Sequence, residues 1–243
     1  VENFRPGVMS RLGFGYDEVK ARCPAMVYCS ISGFGDTGPA KDRAGYDVIA
    51  QGEAGIMDLT GPAEGPPHKV GTPIADLVSG SSAAQGILAA LYVRKDSGLG
   101  QHVTISMYEA TAALLIYNAS IYFATGEAPR RRGNAHASIV PYETFEASDG
   151  WINLGIGNDD QWRRFCGVAG REDLADDDRF AKAPERVLHR DTLVPLVRNI
   201  IASRSRDAWL ALLDAAGIPC GAIRTASEVC ESDLLQSRDM VAE

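Results

Sequence analysis

Apolar and polar positions divide the chain into two halves of different rhythm. In the first, short strand patterns alternate with helical ones. Val1 to Phe4 reads as the end of a strand, and Pro6 suits the first turn of a short helix after it. Tyr16 to Arg22 is a charged helix closed by Pro24, and Met26 to Ile31 (MVYCSI) is a buried strand. Gly33, Gly35 and Gly38 then form a glycine-rich turn, spaced G-x-G-x-x-G but followed by Pro39 rather than by the helix that a dinucleotide fingerprint opens. Gln101 to Met107 alternates Val103, Ile105 and Met107 against His102, Thr104 and Ser106, the period of a strand. Ser106 to Glu109 supplies a capping box, opening one long apolar helix to about Ala124. Alternation of this kind is the α/β signature.

The second half reads differently. Tyr142 to Phe145 and Trp151 to Ile156 form a hairpin across Ser148-Asp149-Gly150. Asn158 to Val168 is a helix with Trp162 and Phe165 inward, and Glu172 to Arg190 is charged and loop-rich. Amphipathic helices over Asp191 to Ala202 and Asp207 to Ala215 lead to Gly217, Pro219 and a short strand at Ala222-Ile223. The composition breaks at Gly126 to Gly133 (GEAPRRRG). The predicted division is an α/β domain over 1–125, a linker and loop over 126–141, a small α+β domain over 142–225, and a return linker over 226–243.

Composition removes whole classes of function. The chain has 243 residues, 45% of them hydrophobic, enough for a sizeable core. Lys and Arg number 24 against 32 Asp and Glu, a net charge of -8, which argues against nucleic acid as a partner. No apolar run is expected to span a membrane, and no signal peptide is read at the start of the sequence. The cysteines (Cys23, Cys29, Cys166, Cys220, Cys230) are scattered and odd in number, and read as the reduced thiols expected of a cytoplasmic protein. The four histidines show no ligand spacing, and no metal is expected. Asp176-Asp177-Asp178 reads as a solvent-facing cluster.

The densest chemistry lies in Lys69 to Leu91 (KVGTPIADLVSGSSAAQGILAAL). A loop or short strand over Lys69 to Ile74 leads to Asp76 and a helix. Leu77, Val78, Ile87, Leu88, Leu91 and Tyr92 form an apolar stripe, interrupted by Gly80, Ser81, Ala83, Ala84 and Gly86. Those small residues lower helix propensity but let a backbone or flat ligand come close. Asp76 has two readings. It is an N-cap accepting from the amides of Val78 or Ser79, or a carboxylate held ionised at a helix start and able to attack an activated acyl carbon. Spacing does not choose between them.

The segment GTPIADLVSG…GILAALYVRKDSGLGQHVTISMYEA resembles the central block of the family III CoA-transferases, the CaiB/BaiF family. Val1 to Gly13, Tyr28 to Pro39, Gly45 to Gly55 and Gly217 to Val229 match in the same order. The resemblance implies a large Rossmann-like open parallel sheet, incomplete here, with a small α+β domain and an interlocked homodimer. It also implies that the chain is an internal section of a longer protein. Asp76 becomes the nucleophile. CoA contacts are implied at Asn3, Phe4, Arg5 and Arg11, and along Arg43, Ala44, Gly45 and Tyr46, with CoA and acyl-CoA as substrates and no permanently bound cofactor. Arg130-Arg131-Arg132 reads either as facing a CoA phosphate or as a solvated hinge.

Two departures from the family pattern bear on specificity. Racemases of the family carry histidine where Tyr46 stands, and a tyrosine with an ordinary pKa near 10 is a poor base at neutral pH. Formyl-CoA transferase carries a glycine run where this chain reads NAHASIVP. That difference speaks against oxalate and leaves Asn134, His136, Ala137 and Ser138 as the implied contacts to the acyl or acceptor group. The implied chemistry is CoA transfer from an acyl-CoA to a carboxylic acid through a mixed anhydride and an aspartyl-CoA thioester.

Overall fold

The computed structural model describes residues 1–241, and the chain forms two compact units that meet at Gly133 and Asn134. The first unit begins with the short helices α1 (Val8–Arg11) and α2 (Tyr16–Arg22) and the strand β1 (Tyr28–Ser32). There follow α3 (Asp47–Glu53), α4 (Ile56–Leu59), α5 (Ile74–Ser97), β2 (His102–Ser106), α6 (Met107–Ala112) and α7 (Ile116–Thr125). β1 and β2 pair in parallel, Tyr28 opposite His102 through Ser32 opposite Ser106. Glu2 bridges to Ser30 in the same sense, its N–H donating to Cys29 O at 2.9 Å. The chain therefore leaves Asn3 to Pro6 at the carboxyl end of the strands, where open α/β sheets hold ligands.

Helix α5 corrects one expectation about the core. Its buried residues are the small Ala75, Ser79, Ala83 and Ala90, whereas Leu77, Leu88 and Tyr92 of the expected apolar stripe are exposed. The reason is proximity: a Cβ on Gly86 would stand 2.6 Å from Val103 Cγ1 of β2, so only a small-residue face can approach the sheet this closely. Ala50, Ala75 and Met107, with Ile31 against them, form the small core there. α5 is also, among the described residues, the one helix long and apolar enough by length and composition to cross a membrane, a run not expected from the sequence.

The apolar helix expected to run unbroken to Ala124 is split. A 3-10 turn over Ala113–Leu115 and a positive φ of 40° at Ile116 separate α6 from α7. At its start, Ser106 Oγ accepts from the Glu109 N–H at 3.2 Å, one half of the expected capping box.

The second unit carries β3 (Tyr142–Ala147) and β4 (Gly150–Gly155), then α8 (Asp159–Ala169), α9 (Glu172–Ala175), α10 (Ala183–Leu188), α11 (Arg190–Ile201) and α12 (Arg206–Ala215). β5 (Cys220–Ala222) follows, with α13 (Ala226–Cys230) and α14 (Asp233–Gln236) where a linker was expected. The antiparallel sheet runs β3-β4-β5, with Phe145 opposite Ile152 on the face that the helices cover. Trp162, Phe165, Trp209, Leu193 and Val197 fill this core. The guanidinium of Arg186 is buried among them, donating to Val140 O, Phe180 O and Asp159 Oδ1 at 2.8 to 3.0 Å. The molecule is thus a mixed α/β chain with one small parallel and one small antiparallel sheet.

Candidate active site

Four segments of the first unit converge on a cleft of about 550 Å³. Asn3, Phe4, Arg5 and Pro6 come from the turn after the Glu2 bridge, and Ile31, Ser32 and Gly33 from the end of β1. Arg43, Ala44, Gly45, Tyr46 and Asp47 lead into α3, and Asp76, Ser79 and Gly80 stand on the first turns of α5, with Met107 beside them. The cleft therefore collects Asp76 and seven of the eight positions implied for CoA contact. Arg11 is the exception. It ends α1 exposed and does not line the cleft.

Two glycines let these segments meet. A Cβ on Gly33 would lie 2.5 Å from Gly45 Cα and 2.8 Å from Gly45 N, closer than any side chain is tolerated. The turn after β1 thus serves a backbone crossing that holds Arg43 to Asp47 against the strand ends. Arg43 stacks over Phe34 at 4.4 Å and pairs with Glu53 at 2.6 Å. The Arg5 guanidinium has no ion-pair partner among the described residues, leaving one cation open to an anionic group. Tyr46 lines the cleft and is 75% exposed.

The start of α5 overturns the capping reading of Asp76. The N-cap is Pro73, without a side-chain cap, and Asp76 lies inside the first turn. The carboxylate that serves this helix end belongs to Asp47, whose Oδ1 accepts from the Ala75 N–H at 2.9 Å. Leu77 N–H donates to Pro73 O and Ile74 N–H to Thr72 O. The Asp76 amide has no partner among the described residues, and neither has its carboxylate. Burial against the cleft walls raises the Asp76 pKa above its ordinary value, and the negative charge of Asp47 raises it further.

Asp47 and Gln51 were not singled out in the sequence, although both lie in the matching stretch Gly45 to Gly55. Their i, i+4 spacing on a helix was the available signal. Gln51 is wholly buried, and its Nε2 donates to Asp47 Oδ2 at 2.7 Å. Its Oε1 accepts from the Val70 N–H at 2.8 Å.

Arg131 is neither phosphate-facing nor a solvated hinge residue. Its guanidinium donates to Asp58 O and Oδ1, Pro62 O and Gly65 O at 3.0 to 3.3 Å, clamping the loop after α4. Arg130 and Arg132 are exposed.

Asn134, His136, Ala137 and Ser138 belong to the second unit. Arg190 orders this loop, donating to His136 O at 2.6 Å and Ala137 O at 3.2 Å. The Ser138 N–H donates to His136 Nδ1 at 3.1 Å, and the His136 ring lies 5.2 Å from Tyr142. Asn134 also lines a shallow cleft of about 710 Å³ on the open face of the sheet, with Tyr142, Thr144, Asn153 and Gly221. Burial pushes the Glu143 carboxyl there upward, against the charges of Arg190 and Arg198.

Among the described residues, no group of three or more His, Cys, Asp or Glu side chains is placed to hold a metal ion. Asp177 pairs with Arg179 at 2.7 Å, and hydrogen bonds from that arginine depress its pKa to about 2.

The fold and the cleft together define a mixed α/β protein with an unpartnered carboxylate at the carboxyl ends of parallel strands. The model of CoA-transferase family III matches residues 1–243, and the chain belongs to that family. It is 38% identical over 241 residues to an acetyl-CoA:oxalate CoA-transferase of Acetobacter aceti, covering 99% of this chain and 62% of that protein. It is 35% identical to a succinate–glutarate CoA-transferase of Agrobacterium fabrum, covering 99% and 60%. The crystal structure of a CaiB/BaiF family protein from Brucella suis superposes with a TM-score of 0.88 at 39% identity, over 98% of this chain and 63% of that one. The chain thus spans about three fifths of the length of these relatives.

Proposed function

We propose that this chain carries the nucleophile of a CoA-transferase, and that Asp76 exchanges CoA between an acyl-CoA donor and a carboxylic acid. The observation that carries the reading is the Asp76 carboxylate itself, unpartnered in a cleft that Arg5, Arg43 and the strand ends also line. An N-cap would have its oxygens occupied; this one is available for attack. Burial and the charge of Asp47 raise its pKa, which makes the ionised carboxylate a stronger nucleophile.

In the first step an Asp76 oxygen attacks the thioester carbonyl, forming a C–O bond as the C–S bond breaks and CoA leaves as thiolate. The product is a mixed anhydride. The thiolate then attacks the Asp76 carbonyl carbon, releasing the donor acid as a carboxylate and leaving an aspartyl-CoA thioester. The acceptor carboxylate attacks that thioester, giving a new anhydride and thiolate. The thiolate takes the acceptor acyl group and restores Asp76. Each step passes through an oxyanion, and the unpaired Asp76 amide at the start of α5 is the candidate donor to it. A single donor of this kind is worth about 3 kcal/mol.

The acceptor class is a small carboxylic acid. The names of the relatives include oxalate and glutarate; the loop Asn134 to Ser138, without a glycine run, supports an acid larger than oxalate, such as the longer dicarboxylate succinate or a branched acid. On the same family resemblance, the parallel strands belong to a larger Rossmann-like sheet and two copies interlock into a dimer; the scattered free cysteines support a cytoplasmic location.

The test is incubation of the full-length protein with succinyl-CoA or acetyl-CoA and hydroxylamine, followed by peptide mapping. Hydroxylamine converts an activated aspartate to a hydroxamate. Modification at Asp76, and loss of exchange in Asp76→Asn and Asp76→Ala, is the expected result. Exchange near the parent rate in either variant refutes it, and deuterium wash-in at the substrate α-carbon without CoA exchange would make the protein a racemase instead.

A further inference from the structure

Gln51 is the one glutamine among the described residues that the fold buries completely, and none of its hydrogen bonds serves its own helix backbone. A polar side chain removed from water costs free energy unless its partners are good ones, so its two contacts identify its use. One is the Val70 N–H, at the start of the segment that leads into α5. The other is Asp47 Oδ2, one turn earlier on α3. The second oxygen of Asp47 accepts from Ala75, the residue directly before Asp76. Both ends of the segment Val70–Ala75 are therefore tied to one face of α3 through a single hydrogen-bonded chain.

We infer that Gln51 is a positioning residue for Asp76: by holding Val70 and orienting Asp47, it sets the start of α5 and the placement of the attacking carboxylate. This rests on the reading of Asp76 as nucleophile. α5 needs such a device because its N-cap is Pro73, which offers no side-chain acceptor to the first turn. Gln51 suits the place because it donates and accepts at once. Its donor meets a carboxylate and its acceptor meets an amide, so the amide orientation is dictated at both ends. The other ionisable groups of the cleft are Arg5, Arg43, Tyr46 and Asp76. None of them makes a hydrogen bond to Asp47 or Gln51 among the described residues.

The experiment follows a single turnover of the full-length protein with succinyl-CoA or acetyl-CoA, whichever the parent uses. CoA release and hydroxylamine trapping at Asp76 are both recorded. Gln51→Leu keeps the volume and removes both bonds. It should slow modification at least ten-fold while the dissociation constant for CoA stays within two-fold, because Gln51 does not line the cleft. Gln51→Glu keeps the fold testable if the leucine variant does not fold. Protonated, its carboxylic acid reproduces both bonds, the O–H donating to Asp47 and the carbonyl accepting from Val70. Ionised, it opposes Asp47. Its rate should thus fall as pH rises, where the parent rate rises to a plateau. A Gln51→Leu rate within two-fold of the parent, or a Gln51→Glu profile that follows the parent, overturns the proposal. Asp76→Asn separates the two levels. Modification surviving in that variant removes the nucleophile reading itself, whereas its loss there with normal Gln51→Leu turnover removes only Gln51.

Discussion

Substituting Gly33 by alanine is the most direct probe of how the cleft is assembled. The added Cβ would stand 2.5 Å from Gly45 Cα and 2.8 Å from Gly45 N. Non-bonded carbons settle at roughly 3.5–4.0 Å, so the two backbones must part by about 1 Å or more. Neither obstructing atom belongs to a side chain, so no rotamer change relieves the clash. The displacement passes to Arg43 to Asp47, the segment that lines one wall and supplies the acceptor for Ala75. Overpacking of this size costs about 1–3 kcal/mol of stability. A shift of about 1 Å in a positioning segment costs on the order of 10²-fold in turnover. Urea denaturation and steady-state exchange on the full-length protein would measure both. Gly33→Ala with unchanged stability, KM and kcat would mean that the backbones do not cross as described, and the account of the cleft would fall with it.

Two further predictions concern charge. Exchange requires ionised Asp76, so the rate should fall as pH drops through its pKa, at a higher pH than an ordinary aspartate with its pKa of 3.8. Asp47→Asn removes the neighbouring negative charge and should move that acid limb to lower pH; a limb that stays or rises contradicts the coupling. In the second unit, Arg186→Met breaks the buried pair with Asp159 and strips donors from Val140 O and Phe180 O, a loss of about 3 kcal/mol in urea denaturation. Desolvation raises the Asp159 pKa, but the hydrogen bond and charge of Arg186 outweigh it and leave the group depressed. Its stabilisation is therefore present above pH 3.8 and lost as pH falls through the lower folded value. Arg186→Met should flatten that acid dependence, and an unchanged dependence would contradict the pairing.

Local chemistry made much of the fold legible before any coordinates. Tyr16–Arg22 is the charged helix read from the sequence and stops before Pro24. The hairpin of β3 and β4 forms across Ser148 and Asp149, and α8 is capped by Asn158, whose side chain accepts from the Gln161 N–H. These signals act over a few residues, which is why a linear pattern carries them. The pattern also drew attention to Asp76, an acid at a helix start beside small residues, while its role as nucleophile was implied only by the family resemblance.

What the pattern did not carry is which face of α5 turns inward, because burial there follows closeness of approach more than hydrophobicity. Leu77, Leu88 and Tyr92 look like core and lie exposed, while Ala75, Ser79 and Ala83 are buried against the sheet and α3. Nor did it exclude the cap reading of Asp76. That was decided by Asp47, 28 positions from the amide it serves, which occupies the capping role and leaves the Asp76 carboxylate without a partner among the described residues. A hydrogen bond of that span depends on two helices being brought together by the crossing at Gly33 and Gly45. Only the folded chain can decide it, since neither partner has a local reason to find the other.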